Sequence, residues 1–149
     1  MKNKVNEIKI SYKEKNKNLA PIIIKKSSQA AQLLFEHWDS DTIALYESFK
    51  VVLLNNSNTV KGIYELSTGG IAGTLVDLRL LFAVVLKTLS TGLILCHNHP
   101  SGSLKPSKAD LDLTQKIAKA ASYLDIKILD HLILSPHGDY YSFADNDIL

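Results

Sequence analysis

Apolar positions along the chain follow two rhythms, and the switches between them outline alternating strands and helices. "NEIKISYK" (6–13) alternates as a strand does until "NKN" breaks it, and "PIIIKK" (21–26) reads as a second short strand. "SSQAAQLLFEHWD" (27–39) has helical spacing, with Ser27 or Ser28 as cap and Ala31, Leu34 and Trp38 among its apolar positions. Two strands, about Glu47–Leu54 and Thr59–Leu66, flank the turn "NNSN" as a hairpin. The Gly-rich connector "STGGIAGT" leads into "LVDLRLLFAVVLKTLS", whose apolar density predicts a mostly buried helix ending near Ser90. Leu93–Cys96 reads as a central strand covered on both faces. Lys108–Tyr123 then reads as a helix with Leu111, Ile117, Ala118 and Ala121 inward, "IKILDHLIL" (126–134) as a strand, and "PHGD" as a turn into "YYSF".

This order predicts an α/β fold: a mixed β-sheet flanked by helices. At 149 residues the chain is long enough to enclose one core. The expected division is a basic N-terminal arm or edge strands over residues 1–26 and the domain proper over 27–149. Charge supports the division. Of 17 Lys and Arg and 15 Asp and Glu, residues 1–26 hold eight Lys and two Glu, leaving nine basic and thirteen acidic residues for the rest. A basic arm suits nucleic-acid phosphates, but Tyr12 is the one aromatic residue among these lysines, so a solvated segment is the preferred reading.

Hydrophobic residues make up 46% of the chain, which excludes wholesale disorder, and no apolar run is long enough to span a bilayer. The polar start "MKNKVNEIKISYKEKNKN" does not read as a secretory signal, and a cytoplasmic location is expected. Cys96 is the single cysteine, which excludes an internal disulfide and any Cys-rich zinc site.

The chemistry concentrates in "LILCHNHPSGSLKPSKAD" (93–110). In an extended chain His97 and His99 project to the same side and can converge on one ion, while Asn98 points away towards backbone partners. Two imidazoles leave room at a zinc for a carboxylate and a water, and Asp110 is the nearest carboxylate. Pro100 and Pro106 stiffen the loop between them, and Gly102 permits a positive-φ turn. "SKAD" is also a capping box, with Ser107 as N-cap and Asp110 one turn in. Capping and ligation need not compete, because a helix beginning at Ser107 would aim its free N–H groups and positive dipole end at the same place.

His-x-His-Pro, six residues, Ser, two residues, Asp is similar to the JAMM signature of the MPN-type metalloproteases, matched by His97, His99, Pro100, Ser107 and Asp110. With "LDHLIL" and "YYSFAD", the chain from about Ala30 to Leu149 resembles the RadC branch of that family. The resemblance implies a single MPN/JAMM-type domain of deaminase-like general architecture. It implies Zn(2+) held by His97, His99 and Asp110 with a water in the fourth position. It implies a glutamate general base on an upstream strand, and Ser107 as hydrogen-bond donor to a tetrahedral oxyanion.

Two glutamates compete for the role of base. Glu47 shares a strand face with Phe49, Val51 and Leu53, whereas Glu65 shares one with Thr59, Lys61 and Ile63. A carboxylate on a core-facing side needs a reason, and activating a water supplies one, so Glu47 is preferred. The implied activity is that of a zinc metallopeptidase or isopeptidase acting on a peptide or protein substrate. Its rival is a DNA repair or recombination accessory with a structural metal and a Lys-rich nucleic-acid-binding arm. Full-length RadC-like chains carry a helix-hairpin-helix region for which residues 1–26 offer no room, and "LVDLRL" departs from the His-Pro-Arg-Glu string of many of them.

His131 reads equally well as a residue orienting a metal ligand or as a satisfied core histidine. His37 reads as surface, His137 as a turn residue, and Cys96 as core on the face opposite His97. An HNH nuclease is excluded because the three letters are contiguous in one strand. A zinc nucleoside deaminase is excluded because His-x-Glu and Pro-Cys-x-x-Cys are missing.

Overall fold

A computed structural model of the chain describes residues 4–15, 17–69 and 76–149. Its elements run α1 (Ser27–His37), β1 (Ser48–Leu54), β2 (Val60–Thr68), α2 (Leu78–Lys87), β3 (Gly92–Asn98), α3 (Lys108–Ser122), β4 (Lys127–Leu134) and β5 (Tyr140–Ser142). They form one five-stranded sheet of order β2-β1-β3-β4-β5. β3 runs parallel to β4, and the other three pairings are antiparallel, so the sheet is mixed as expected. A helical crossover is what a parallel pair requires, and α3 provides it.

Strand alternation sorts the core into two layers. Val52, Leu54, Ile94, Cys96, Leu132 and Leu134 face α1 and pack on Ala30, Ala31, Leu34 and Trp38. Phe49, Val51, Leu53, Leu93 and Leu95 face the other way, onto Leu81 and Val85 of α2 and Ile117 and Ala121 of α3. Every residue of β1 and β3 is buried, as continuous apolar runs between two helical layers should be. Because Phe49 is registered opposite His97, the side chain of His97 emerges on the α2–α3 side.

Several local expectations are corrected. Residues 6–13 form no strand: Val5, Ile8 and Ile10 stay exposed, since alternation without a partner strand leaves the backbone to water. Tyr12 fixes this arm, its hydroxyl donating to the Lys61 carbonyl (2.9 Å) while the Lys61 ammonium lies 5.4 Å from its ring centre. "PIIIKK" contributes one bridge, Ile23 to Thr59, before α1 takes over. α1 is not capped by a serine. Lys26 is its N-cap, and the Ser27 hydroxyl donates instead to Asp145 (3.1 Å). α2 begins later than its apolar run because the Asp77 carboxylate accepts from the Arg79 N–H (2.8 Å) and caps it there. On α3 the inward positions are Thr114, Ile117 and Ala121, whereas Leu111 and Ala118 are half-buried. Most of the Gly-rich connector, residues 70–75, lies outside the described residues.

Candidate metal centre

The centre is built where β3 leaves the sheet and α3 begins. His97 is the penultimate residue of β3, and His99 follows two positions on, so both imidazoles lie on the same side. The chain then turns, with the Gly102 N–H donating to the His99 carbonyl (2.9 Å) and Gly102 at φ +82°, the positive value a Cβ would oppose. Ser107 caps α3. Its hydroxyl accepts from the Asp110 N–H (3.0 Å), and its own N–H donates to Asp110 Oδ2 (2.8 Å). That exchange turns the Asp110 carboxylate back across the helix end, towards the imidazoles.

His97, His99 and Asp110 thereby bring one ligand atom each to within 4.8 Å of the others. His97 Nε2 and His99 Nε2 are 3.0 Å apart, and they stand 3.3 and 3.5 Å from Asp110 Oδ1 and Oδ2. The chemistry of these donors fits a metal ion. His99 Nδ1–H donates to the Ser103 carbonyl (2.7 Å), which leaves a lone pair on Nε2 aimed at a carboxylate. Acceptors facing acceptors at this distance require a cation between them, either a proton on an imidazole nitrogen or a metal.

The electrostatics point the same way. Burial opposes ionisation of Asp110, but the hydrogen bonds with His97 and His99, the charge on His97 and the Ser107 N–H together hold the carboxyl well below its ordinary range. The Asp110 hydrogen bond lifts the His99 imidazole above its usual value against its burial, helped by the Ser103 carbonyl and the nearby charges of Asp110 and Glu47.

Around this cluster lies a cleft of about 350 Å³ whose lining includes Glu47, Phe49, Ser101, Ser103, Ser107 and Leu113. Glu47 immediately precedes β1 and is half-buried at the mouth of the strand. Glu65 is registered opposite Lys50, which in turn pairs with Cys96, so it belongs to the α1 side and is exposed. The two glutamates therefore occupy opposite faces, and only Glu47 reaches the histidines' cleft.

Asn98 explains how Glu47 is held there. It is wholly buried between the two histidines; its Oδ1 accepts from the Ser48 N–H (2.7 Å), and its Nδ2 donates to the carbonyls of Ile43 (2.7 Å) and Tyr46 (2.9 Å). These bonds clamp the chain on both sides of Glu47.

His131 is also fully buried, with its Nε2 2.8 Å from His97 Nδ1 and its Nδ1 2.6 Å from the Thr114 hydroxyl. It stacks on Phe143 (4.5 Å between ring centres) and meets Phe49 edge-on (5.5 Å), while Phe49 stacks against His97. Burial, reinforced by the neighbouring His97, pushes the His131 imidazole well below its usual value, so it is held neutral. Of the remaining expectations, Cys96 is buried on the α1 face, its thiol pushed up by burial, and His37 and His137 are exposed. Thr114 escaped the sequence reading. The available signal for Thr114 was a polar residue on the inner stripe of α3, one turn after Asp110.

A mixed α/β sheet that delivers two histidines from a strand end and an aspartate from a capped helix start defines a JAB/MPN-type domain. Residues 24–148 match the RadC-like JAB domain, and the chain belongs to that family. It is 57% identical over 103 residues to a UPF0758 protein of Flavobacterium johnsoniae, covering 69% of this chain and 44% of that protein. A UPF0758 protein of Porphyromonas gingivalis is 43% identical over 103 residues, covering 69% and 45%. The chain thus spans less than half the length of these relatives. Among the described residues, no helix is long and apolar enough to cross a membrane.

Proposed function

We propose that this domain is a zinc-dependent hydrolase of the JAMM type, cleaving a peptide or isopeptide bond. The observation that carries the reading is the convergence of His97, His99 and Asp110 in a cleft that also holds a carboxylate outside the triad, Glu47. His97 Nε2, His99 Nε2 and an Asp110 oxygen would hold the metal, leaving the cleft side open to substrate. When bound, zinc polarises a scissile carbonyl and lowers the pKa of a coordinated water towards neutrality.

The chain's own groups do the rest. Glu47 takes the proton of the attacking water and returns it to the departing amine. The Ser107 hydroxyl already accepts from the Asp110 N–H, and its own proton remains available to donate to the oxyanion. Phe49 and Leu113 give the cleft an apolar wall that excludes water from the reacting bond. A lone, buried Cys96 suits a reducing compartment such as the cytoplasm.

The test compares Glu47→Gln with Glu65→Gln on peptide and isopeptide-linked reporter substrates. Glu47→Gln is expected to keep its zinc and lose about 10²–10⁴-fold in rate, with Glu65→Gln unchanged. Full turnover by Glu47→Gln would overturn the assignment.

A further inference from the structure

Thr114 joins His97, Asn98 and His131 as a buried polar residue of the centre, and its hydroxyl has one proton to give. It lies 2.6 Å from the Asp110 carbonyl, one helical turn back, and 2.6 Å from His131 Nδ1. A carbonyl oxygen can only accept, so the hydroxyl proton goes to Asp110 and the hydroxyl oxygen must accept from His131 Nδ1–H. His131 is fully buried against Phe49 and Phe143, and its two nitrogens meet a hydroxyl and an imidazole with no carboxylate bonded to either, so the ring carries a single proton and its Nε2 is an acceptor. Its neighbour at 2.8 Å, His97 Nδ1, must then be the donor. With the proton on Nδ1, the lone pair of His97 is on Nε2, facing Asp110 Oδ1 and His99 Nε2.

The opposite direction of the chain has a different outcome. If the Thr114 proton turned to His131 Nδ1, the His131 proton would move to Nε2 and donate to His97 Nδ1. His97 would then be protonated on Nε2 and would satisfy itself on His99 at 3.0 Å. In that state the site is closed by its own proton. The chosen direction is secured by the bond from a helical threonine to the carbonyl four residues back, a partner always in reach. That carbonyl belongs to Asp110 itself, so the chain of bonds closes a ring through two of the three converging residues.

We propose that Thr114, acting through His131, is a positioning residue that keeps His97 in the tautomer whose Nε2 is free for a cation. The role deepens the reading of the triad as a metal centre and rests on it, but it is read out in the metal-free protein. The experiment records imidazole proton–nitrogen correlation spectra of the ¹⁵N-labelled full chain after chelation, and zinc affinity by competition with a chelating dye. Wild type is expected to show His97 protonated on Nδ1. Thr114→Val keeps the shape and removes the hydroxyl, and it is expected to move the His97 proton to Nε2 and weaken zinc binding about 10–100-fold. Thr114→Ala, lacking the second γ-branch as well, should behave like Thr114→Val, and Thr114→Ser should restore both readouts.

His97 protonated on Nε2 in wild type would overturn the proposal, as would unchanged tautomer or unchanged affinity in both hydroxyl-free variants. If the tautomer and affinity shift as expected while no substrate is ever cleaved, the positioning role stands and the hydrolase reading falls.

Discussion

Asp130 and His131 are neighbours in β4, yet their side chains enter polar clusters on opposite faces of the sheet. On the α1 side, Asp130 is saturated: Oδ1 accepts from the N–H groups of His131 (2.7 Å) and Ala144 (3.0 Å), and Oδ2 from the Ser142 hydroxyl (2.7 Å). On the α3 side, the Asp110 carboxylate has the Ser107 N–H and otherwise faces imidazole nitrogens. Both clusters centre on an aspartate carboxylate. They differ in whether each acceptor has met a donor. A saturated carboxylate ties β4 to the C-terminal segment and has nothing left to offer a ligand. An unsaturated one, opposed to lone pairs, is stable only with a positive charge beside it, whether a proton or a metal ion.

The contrast breaks most sharply at the ligand atoms. A His97→Ala/His99→Ala double variant and Asp110→Asn should lose their zinc, while the wild type holds about one equivalent by metal analysis. Full zinc retention in either would mean that the unsaturated cluster is not the site. The far side should respond in the opposite way. Asp130→Ala strands three donors and should cost roughly 3 kcal/mol of stability in urea unfolding, with zinc uptake intact. Loss of zinc in a folded Asp130→Ala would merge the two clusters into one functional unit.

Acid provides the finer test. The unfolded chain protonates His131 near its ordinary value of 6.5, whereas the fold holds it neutral, so the unfolded state gains protons first. Metal-free stability should therefore fall as pH drops below 6.5, and a further loss through Asp110 should begin as pH falls through its ordinary 3.8. His99 works in the opposite sense, its contribution being present at low pH and lost as pH rises through its raised value. Denaturation curves across this range should lose the upper limb in His131→Gln. An unchanged limb there would assign the acid sensitivity to another group.

The convergence of His97, His99 and Asp110 was legible in the sequence because strand geometry alone places i and i+2 on one side, and because a capping box fixes where a carboxylate must turn. The side of the sheet on which Glu47 lies was legible for a related reason, since it stood in phase with Phe49, Val51 and Leu53 on a buried face. What escaped depended on partners far along the chain. Ser27 has the composition of a helix cap, but Asp145, 118 residues away, takes its hydroxyl. The alternation of residues 6–13 is a sound strand pattern with no strand to pair with among the described residues. Thr114 carries no motif at all, and its part emerges only once α3 is laid across β4 and its hydroxyl meets His131.

Asn98 carries a consequence for how this domain can work. By fastening residues 43–48 to the strand that bears the histidines, it makes Glu47 and the imidazoles parts of a single rigid frame. The span from Pro100 to Pro106, which brings Ser101 and Ser103 to the cleft lining, then stands as the part of the rim outside that frame. Exchanging that span between relatives would reshape the cleft's entrance while leaving the triad and Glu47 where they stand.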